Sequence, residues 1–312
     1  MIETFVPLYI NNFCESYCHV CSLRVNNKDI IRKKGTIDEI VTQLKIIKDV
    51  DNIYAICFLS GEYKSKMRNE NFLLILESIK KAFDLGFEKV FFNIGSLTNL
   101  EIEILYQNFS GKNLVLSLFQ ETYNKKLYEK WFGKNRQNNP KADFDFRLST
   151  PLRWLERGFK SVDIGILLGI SNIEDDIHNL MNHFKILIEL NAEVYISLPR
   201  IRGVSNFYNS ISDDSFEEIV KIIHQACNQA KIIITTRESI EMINRLLPYI
   251  HVVSPGTSDL LAYTQKGDIT NKKETSQFYI QNERPRPSKV LNCLDIDNSL
   301  IKYYFINENT RN

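Results

Sequence analysis

No run of apolar residues in this 312-residue chain is long enough to cross a membrane: the longest, such as "VDIGILLGI" (162–170), fall well short of a helical span. No sign of charge dominates either. With 39 Lys and Arg against 38 Asp and Glu, there is no basic field to point to nucleic acid or a membrane surface. The opening "MIETFVPLYI" has an early acid, no basic n-region and no small-residue cleavage site, which speaks against a signal peptide. The expected compartment is the reducing cytoplasm, where clustered cysteines more often bind metal or do chemistry than form disulfides.

What the chain does have is a knot of thiols. Cys14, Cys18 and Cys21 fall within "NFCESYCHVC" (12–21), while Cys57, Cys227 and Cys293 are scattered. A structural zinc site wants four ligands, and His19, inside the same loop, is the obvious fourth candidate. Structural zinc motifs usually arrive as two paired ligand sets, however, and no second pair is present. A cubane iron–sulfur cluster held by three thiolates leaves one iron without a protein ligand, the open position that catalysis uses.

Around this loop the chain alternates short apolar runs with helical periods. The runs are "VPLYI" (6–10), "IYAICFLS" (53–60), "KVFFNI" (89–94), "LVLSLFQ" (114–120), "VDIGILLG" (162–169), "EVYISLP" (193–199), "KIIITT" (231–236) and "HVVS" (251–254). Most are apolar on both faces, as strands buried between a barrel interior and a helical layer must be. Thr36 and Glu39 form the signature of a capping box, and acids open the helices near 174 and 213. The pattern predicts an α/β fold, a (βα)8 TIM-type barrel over residues 1–260 with a C-terminal extension, 261–312, wrapping the outside. A doubly wound sheet is the alternative. The cysteine loop follows the first strand, at the mouth where sites on a barrel are built.

Cys-x3-Cys-x2-Cys after the first strand resembles the radical S-adenosylmethionine (SAM) superfamily. That resemblance implies a [4Fe-4S] cluster on Cys14, Cys18 and Cys21, with SAM chelated to the open iron. "LSGEY" (59–63) supports it, since a Gly-Glu at the end of the second strand, here Gly61 and Glu62, contacts the SAM amino group in the superfamily. Further stretches resemble the aromatic amino acid lyases, the tyrosine lyases and tryptophan lyase. They are "FQETYNKKLYEKWFGKNRQNNPKADFDFRL" (119–148), "RWLERGFKSVDIGILLGISN" (153–172), "ISLPRIRG" (196–203), "TTRES" (235–239) and "SQFYIQNERPRPSKV" (276–290). The implied reaction is hydrogen abstraction from an aromatic amino acid, tyrosine favoured, with Cα–Cβ cleavage to p-cresol and dehydroglycine. The alternatives are a tryptophan rearrangement and a non-catalytic scaffold subunit. A reductant such as flavodoxin or ferredoxin and an acceptor for the unstable imine are the implied partners.

The candidate site residues follow from strand-end positions and the resemblance. Glu121, Arg147 and Arg153 suit the ribose, ammonium and carboxylate of SAM. Val20 stands where an aromatic usually lies beside adenine, with Tyr17 as a substitute. Arg200 and Glu121 are the candidate catalytic residues. In the lyases a Ser-x-x-x-Arg-like stretch places an arginine near the substrate carboxylate; here it reads "SPGTSDLL" (254–261), so Ser258 stands where the arginine is expected, and Ser254, Thr257 and Ser258 are candidate substrate-binding residues. Asp259 follows and would repel a carboxylate. Arg200 or Arg237 must then anchor the substrate, Arg200 being the expected choice. No late Cys-x-x-Cys is present, so a second cluster, and with it carbon monoxide and cyanide production, is not expected.

Overall fold

The computed structural model describes residues 1–134, 139–201, 210–235, 237–278 and 285–305. All eight apolar runs form strands. In chain order the strands are β1 (Ile2–Thr4), β2 (Val6–Asn11), β3 (Ala55–Ser60), β4 (Lys89–Asn93), β5 (Leu114–Ser117), β6 (Ser161–Gly165), β7 (Glu193–Ser197), β8 (Lys231–Thr235), β9 (Val252–Ser254) and β10 (Ile301–Lys302). The helices are α1 (Ile37–Asp49), α2 (Met67–Asp84), α3 (Asn99–Phe109), α4 (Lys125–Phe132), α5 (Phe144–Glu156), α6 (Ile173–Ile188), α7 (Asp213–Ala226), α8 (Ile240–Leu246) and α9 (Pro287–Asn292).

The strands make one curled parallel sheet in the order β10-β1-β9-β8-β7-β6-β5-β4-β3-β2. β1 and β2 are two halves of one run that changes partners at Phe5. The first half pairs with β9 (Glu3 opposite Val252) and the second with β3 (Val6 opposite Ile56). The run thereby brings the two ends of the sheet together, and Tyr9 bridges to Leu260 near the mouth. This is the α/β TIM-like fold that the alternation predicts, not a doubly wound sheet.

The helices form because each presents one apolar stripe. α1 buries Ile40, Leu44 and Ile47, and the expected Thr36–Glu39 capping box closes its N-terminus. Such a cap is worth about 1 kcal/mol. α6 is capped by Asn172 and α7 by Ser212, both ahead of acidic first turns. The helical stripes cover the outer face of the sheet in one large core. A second, smaller core fills the barrel interior with Phe5, Cys57, Phe91, Val115, Tyr195 and Ile233.

The tail does more than wrap the outside. Its end contributes β10, which pairs with β1 (Ile2 opposite Ile301), and Arg286 pairs with the fully buried Asp51 at 2.8 Å. Among the described residues no helix is long and apolar enough to cross a membrane.

Candidate functional site

The loop after β2 is irregular and is folded around one guanidinium. Arg32 donates to the carbonyls of Asn12 (2.5 Å), Leu23 (2.9 Å) and Arg24 (2.8 Å), and Asn12 pins the loop's return through the Lys33 amide at 2.7 Å. All three clustered thiols line one cavity at the C-terminal ends of the strands. The backbone amides of Ser16 and Glu62 donate to Cys14 Sγ at 3.4 Å, and Gln277 Nε2 donates to Cys21 Sγ at 3.5 Å. Burial pushes the Cys14 thiol up to about 11 and raises Cys18 and Cys21 as well. These thiols hold their protons until a metal displaces them.

Three thiols on one cavity are the donor set that a cluster with one open iron asks for. Among the described residues no group of three His, Cys, Asp or Glu is gathered tightly enough to hold one metal ion. A zinc ion needs every ligand within about 2.3 Å of one point, whereas a cubane binds each thiolate at a different iron. His19, the possible fourth zinc ligand, is exposed to solvent. The amides aimed at Cys14 would stabilise its thiolate once a metal displaces the proton.

Gly61 lines the cavity, as the resemblance implies, and it also has a packing duty. A Cβ there would sit 1.9 Å from the Phe13 carbonyl and 2.7 Å from Cys14 Cβ, so a glycine lets β3 press against the cysteine loop. Glu62, next in the chain, accepts from Arg147 Nη1 at 3.0 Å, while Arg147 Nε donates to the Phe119 carbonyl at 2.6 Å. Glu121 takes a positive φ of 71°, which a non-glycine residue adopts at a cost of roughly 1–3 kcal/mol. There it receives Lys141 Nζ at 2.5 Å and lies 3.9 Å from Arg147. Burial alone would raise the Glu62 carboxyl, but Arg147 and Lys141 outweigh it and hold it below the usual range. For Arg147 and Lys141 burial works the other way, and the facing carboxylates overcome it to raise both. The result is a neutral quartet of two acids and two bases lining the mouth. Lys141 was not singled out in the sequence, and no local period marks it.

Arg200 does not face the cavity. It is 2% exposed, and its guanidinium is consumed by Glu238 (Nε to Oε1, 2.9 Å), Asp213 and the Ile211 carbonyl while its plane covers Phe216. The reason is strand alternation. Ser197 and Pro199 line the cavity, so Arg200, one residue on, points into the helical layer. On the next strand Ile233, Thr235 and Arg237 all line the cavity, two residues apart. Arg237 rests its guanidinium 3.6 Å over the Phe278 ring, and no carboxylate among the described residues lies within ion-pair distance of it. Burial lowers its pKa, against weaker opposing pulls from Tyr9 and Glu121.

Ser258, where the lyases carry arginine, supports this cation indirectly. Its hydroxyl donates to the Phe278 carbonyl at 2.5 Å and accepts from the Phe278 amide at 3.1 Å, fixing the ring under Arg237. Ser254 and Thr257 line the cavity, and Thr257 donates to Asn271 at 3.1 Å. Asp259 is turned away and held by the Lys272 amide at 3.0 Å and by Thr275, so the expected repulsion does not arise.

Two cofactor expectations also change. Tyr17 is 43% exposed and does not line the cavity, whereas Val20 does. Arg153 is half-buried on the outer side of α5, donating to Asn99 and Thr150 at 2.8 Å. Tyr9 and Gln277, joined by a short hydrogen bond between strand and tail, line the site without having been named in advance. Parts of four quoted motifs, at 135–138, 202–203, 236 and 279–284, lie outside the described residues.

A three-cysteine loop opening on a cavity at the strand ends of an α/β barrel is what the sequence resemblance leads one to expect. The resemblance extends along the chain to particular enzymes. The chain is 24% identical to the 2-iminoacetate synthase of Salmonella typhimurium, over 94% of its own length and 75% of that enzyme. It is 25% identical to the 2-iminoacetate synthase of Escherichia coli with the same coverage. Its fold matches the FeFe-hydrogenase maturase HydG of Carboxydothermus hydrogenoformans with a TM-score of 0.78 at 24% identity, covering 91% of this chain and 64% of that one. It also matches methylornithine synthase with a TM-score of 0.70 at 16% identity, covering 96% and 84%. No protein-family model matches the chain.

Proposed function

We propose that this chain is a radical SAM enzyme that opens the Cα–Cβ bond of an aromatic amino acid, tyrosine favoured. The observation that carries the reading is the sharing of one cavity by the three cysteines, the neutral quartet and Arg237, a cation without an ion-pair partner among the described residues. Cys14, Cys18 and Cys21 would hold a [4Fe-4S] cluster, and Glu62, Glu121, Arg147 and Lys141 the polar parts of SAM. A bound cluster with SAM supplies a 5′-deoxyadenosyl radical, the hydrogen-abstracting species. Everything else is the protein's work. Arg237 takes the substrate carboxylate in a charge-assisted fork, and Phe278 holds that fork in place. Leu59, Phe119 and Leu167 line the same space and keep water from the reacting carbon.

The test is anaerobic reconstitution followed by reductive cleavage of SAM with dithionite across tyrosine, tryptophan and their analogues. The expected result is tyrosine-stimulated 5′-deoxyadenosine with p-cresol as co-product. Cys18→Ala should abolish both and the SAM-induced change in the cluster spectrum. A spectrum that still responds to SAM in that variant, or stimulation by neither amino acid, overturns the assignment.

A further inference from the structure

Deep in the cavity, beyond the residues assigned to SAM, lies a carboxyl that the proposed chemistry leaves without a task. Asp163 sits in the middle of β6, 1% exposed and facing the cavity. Ser117 Oγ, from β5, donates to its Oδ2 at 2.6 Å. Ser197 Oγ, from β7, donates to Oδ1 at 2.9 Å and Oδ2 at 3.2 Å. No cation among the described residues pairs with it. Lys89 and Lys231, the nearest lysines in sequence on the strands, are taken by Glu3 and Glu193 at the opposite end of the barrel. An unpaired acid in a barrel interior is costly, by several kcal/mol if it ionises. A cross-strand link alone would be met by a threonine or serine at no such cost.

Two serine donors leave the carboxyl with spare acceptor sites, since an ionised Asp offers about four. Around it the same cavity is lined by Phe5, Pro7, Cys57 and Ile233, an apolar sleeve suited to a flat ring. Resting on the aromatic lyase reading, we infer that Asp163, oriented by Ser117 and Ser197, is the specificity residue that accepts a hydrogen bond from a hydroxyl at the far end of the substrate's ring. Arg237 and Asp163 then hold opposite ends of one amino acid, and phenylalanine, lacking the hydroxyl, leaves Asp163 without its ligand. A ring hydroxyl suits the site better than an ammonium group. Burial pushes this carboxyl up to about 7 against the pull of the two serines, so it offers an acceptor but not a dependable counter-charge.

The test separates this subsite from the lyase chemistry by using a ring without the amino acid. Reconstituted, SAM-bound wild type is titrated calorimetrically with p-cresol, toluene and n-butylammonium, alongside Asp163→Ala and Asp163→Asn. Wild type should bind p-cresol at least tenfold tighter than toluene, a discrimination typical of a site built to hydrogen-bond its ligand. Asp163→Ala should bring the two within about threefold while leaving SAM binding unchanged. Ser117→Ala with Ser197→Ala supplies the same loss of preference if the Asp163 variants fold poorly. A p-cresol preference that survives in Asp163→Ala and in the double serine variant, or an Asp163-dependent preference for n-butylammonium, overturns the inference, while Asp163→Asn, which keeps an acceptor oxygen, should retain part of the preference. If tyrosine stimulates SAM cleavage but the p-cresol preference ignores Asp163, the lyase reading stands and the subsite falls. If no aromatic amino acid stimulates cleavage yet the preference depends on Asp163, the subsite stands and the lyase reading falls.

Discussion

The two ends of the barrel each hold two acids and two bases, yet they do opposite things. At the N-terminal end Glu3 and Glu193 share Lys89 (3.2 Å to each) and Lys231, and Tyr195 joins the network from within. At the C-terminal end Glu62 and Glu121 face Arg147 and Lys141. The lower set lies beside the interior core and β10, outside the cavity that holds the cysteines, and its charges satisfy one another. The upper set lines the cavity beside the cysteines, where the same groups remain within reach of a ligand. Two further groups line the same cavity without an ion-pair partner among the described residues, Arg237 past the end of β8 and Asp163 in the middle of β6. On the proposed reading, Arg237 and Asp163 are the groups that would assign the polarity of a substrate.

Three perturbations sharpen or break that comparison. The largest effect is expected from stranding a buried charge. Lys89→Met, which leaves two carboxylates facing one lysine, should cost about 3–5 kcal/mol of stability by denaturant unfolding. It should leave the SAM-induced spectral change intact. Arg147→Met should cost as much and also remove that spectral change. If both variants keep it, the upper set is only a second plug. Next comes the choice of arginine. Arg237→Ala should reduce tyrosine-dependent 5′-deoxyadenosine at least tenfold with SAM binding unchanged, consistent with about 2–5 kcal/mol for one partner of a charge pair. Arg200→Ala, which removes the buried guanidinium that Glu238 and Asp213 both pair with, should lower stability instead. The reverse pattern would restore Arg200 as the anchor.

The smallest effect is in pH dependence, and the two regions should differ in sign. The Asp163 carboxyl is raised from 3.8 to about 7, first by burial, with Cys57 the titratable neighbour across the barrel. Its contribution is present below pH 3.8 and is lost as pH rises through about 7. For Glu193 burial raises the carboxyl, but Lys89 and Lys231 prevail and bring it from 4.5 to about 2. That contribution is present above pH 4.5 and is lost as pH falls through about 2. Unfolding free energies at pH 5 and 8 should show wild type losing on the order of 2 kcal/mol relative to Asp163→Asn. Equal slopes in the two proteins would mean that Asp163 titrates normally.

Much of this molecule was legible in its sequence because the relevant signals are local. The eight apolar runs, the Thr36–Glu39 cap and the acidic helix starts each depend on residues a few positions apart. The placement of Cys14, Cys18 and Cys21 directly after a strand puts them at the strand ends, where they line a cavity in the fold. β1 and β10 were missed because three and two residues carry too little pattern to stand out. Asp163 carried a visible signal, an acid inside an otherwise apolar strand, whose partners Ser117 and Ser197 are far away in sequence.

The choice between Arg200 and Arg237 shows where local signals stop. Once one inward residue is known on each strand, every second residue follows, as Cys57, Leu59 and Gly61 do on β3 and its end, or Ser117, Phe119 and Glu121 on β5 and beyond it. Sequence alone determined that period, the order of the elements and the cysteine loop at the mouth. It did not determine the phase, because a parallel strand buried on both faces is apolar at odd and even positions alike. Only the closed barrel, by turning one parity toward the cavity and the other toward the helices, decided that Arg237 faces in and Arg200 faces out.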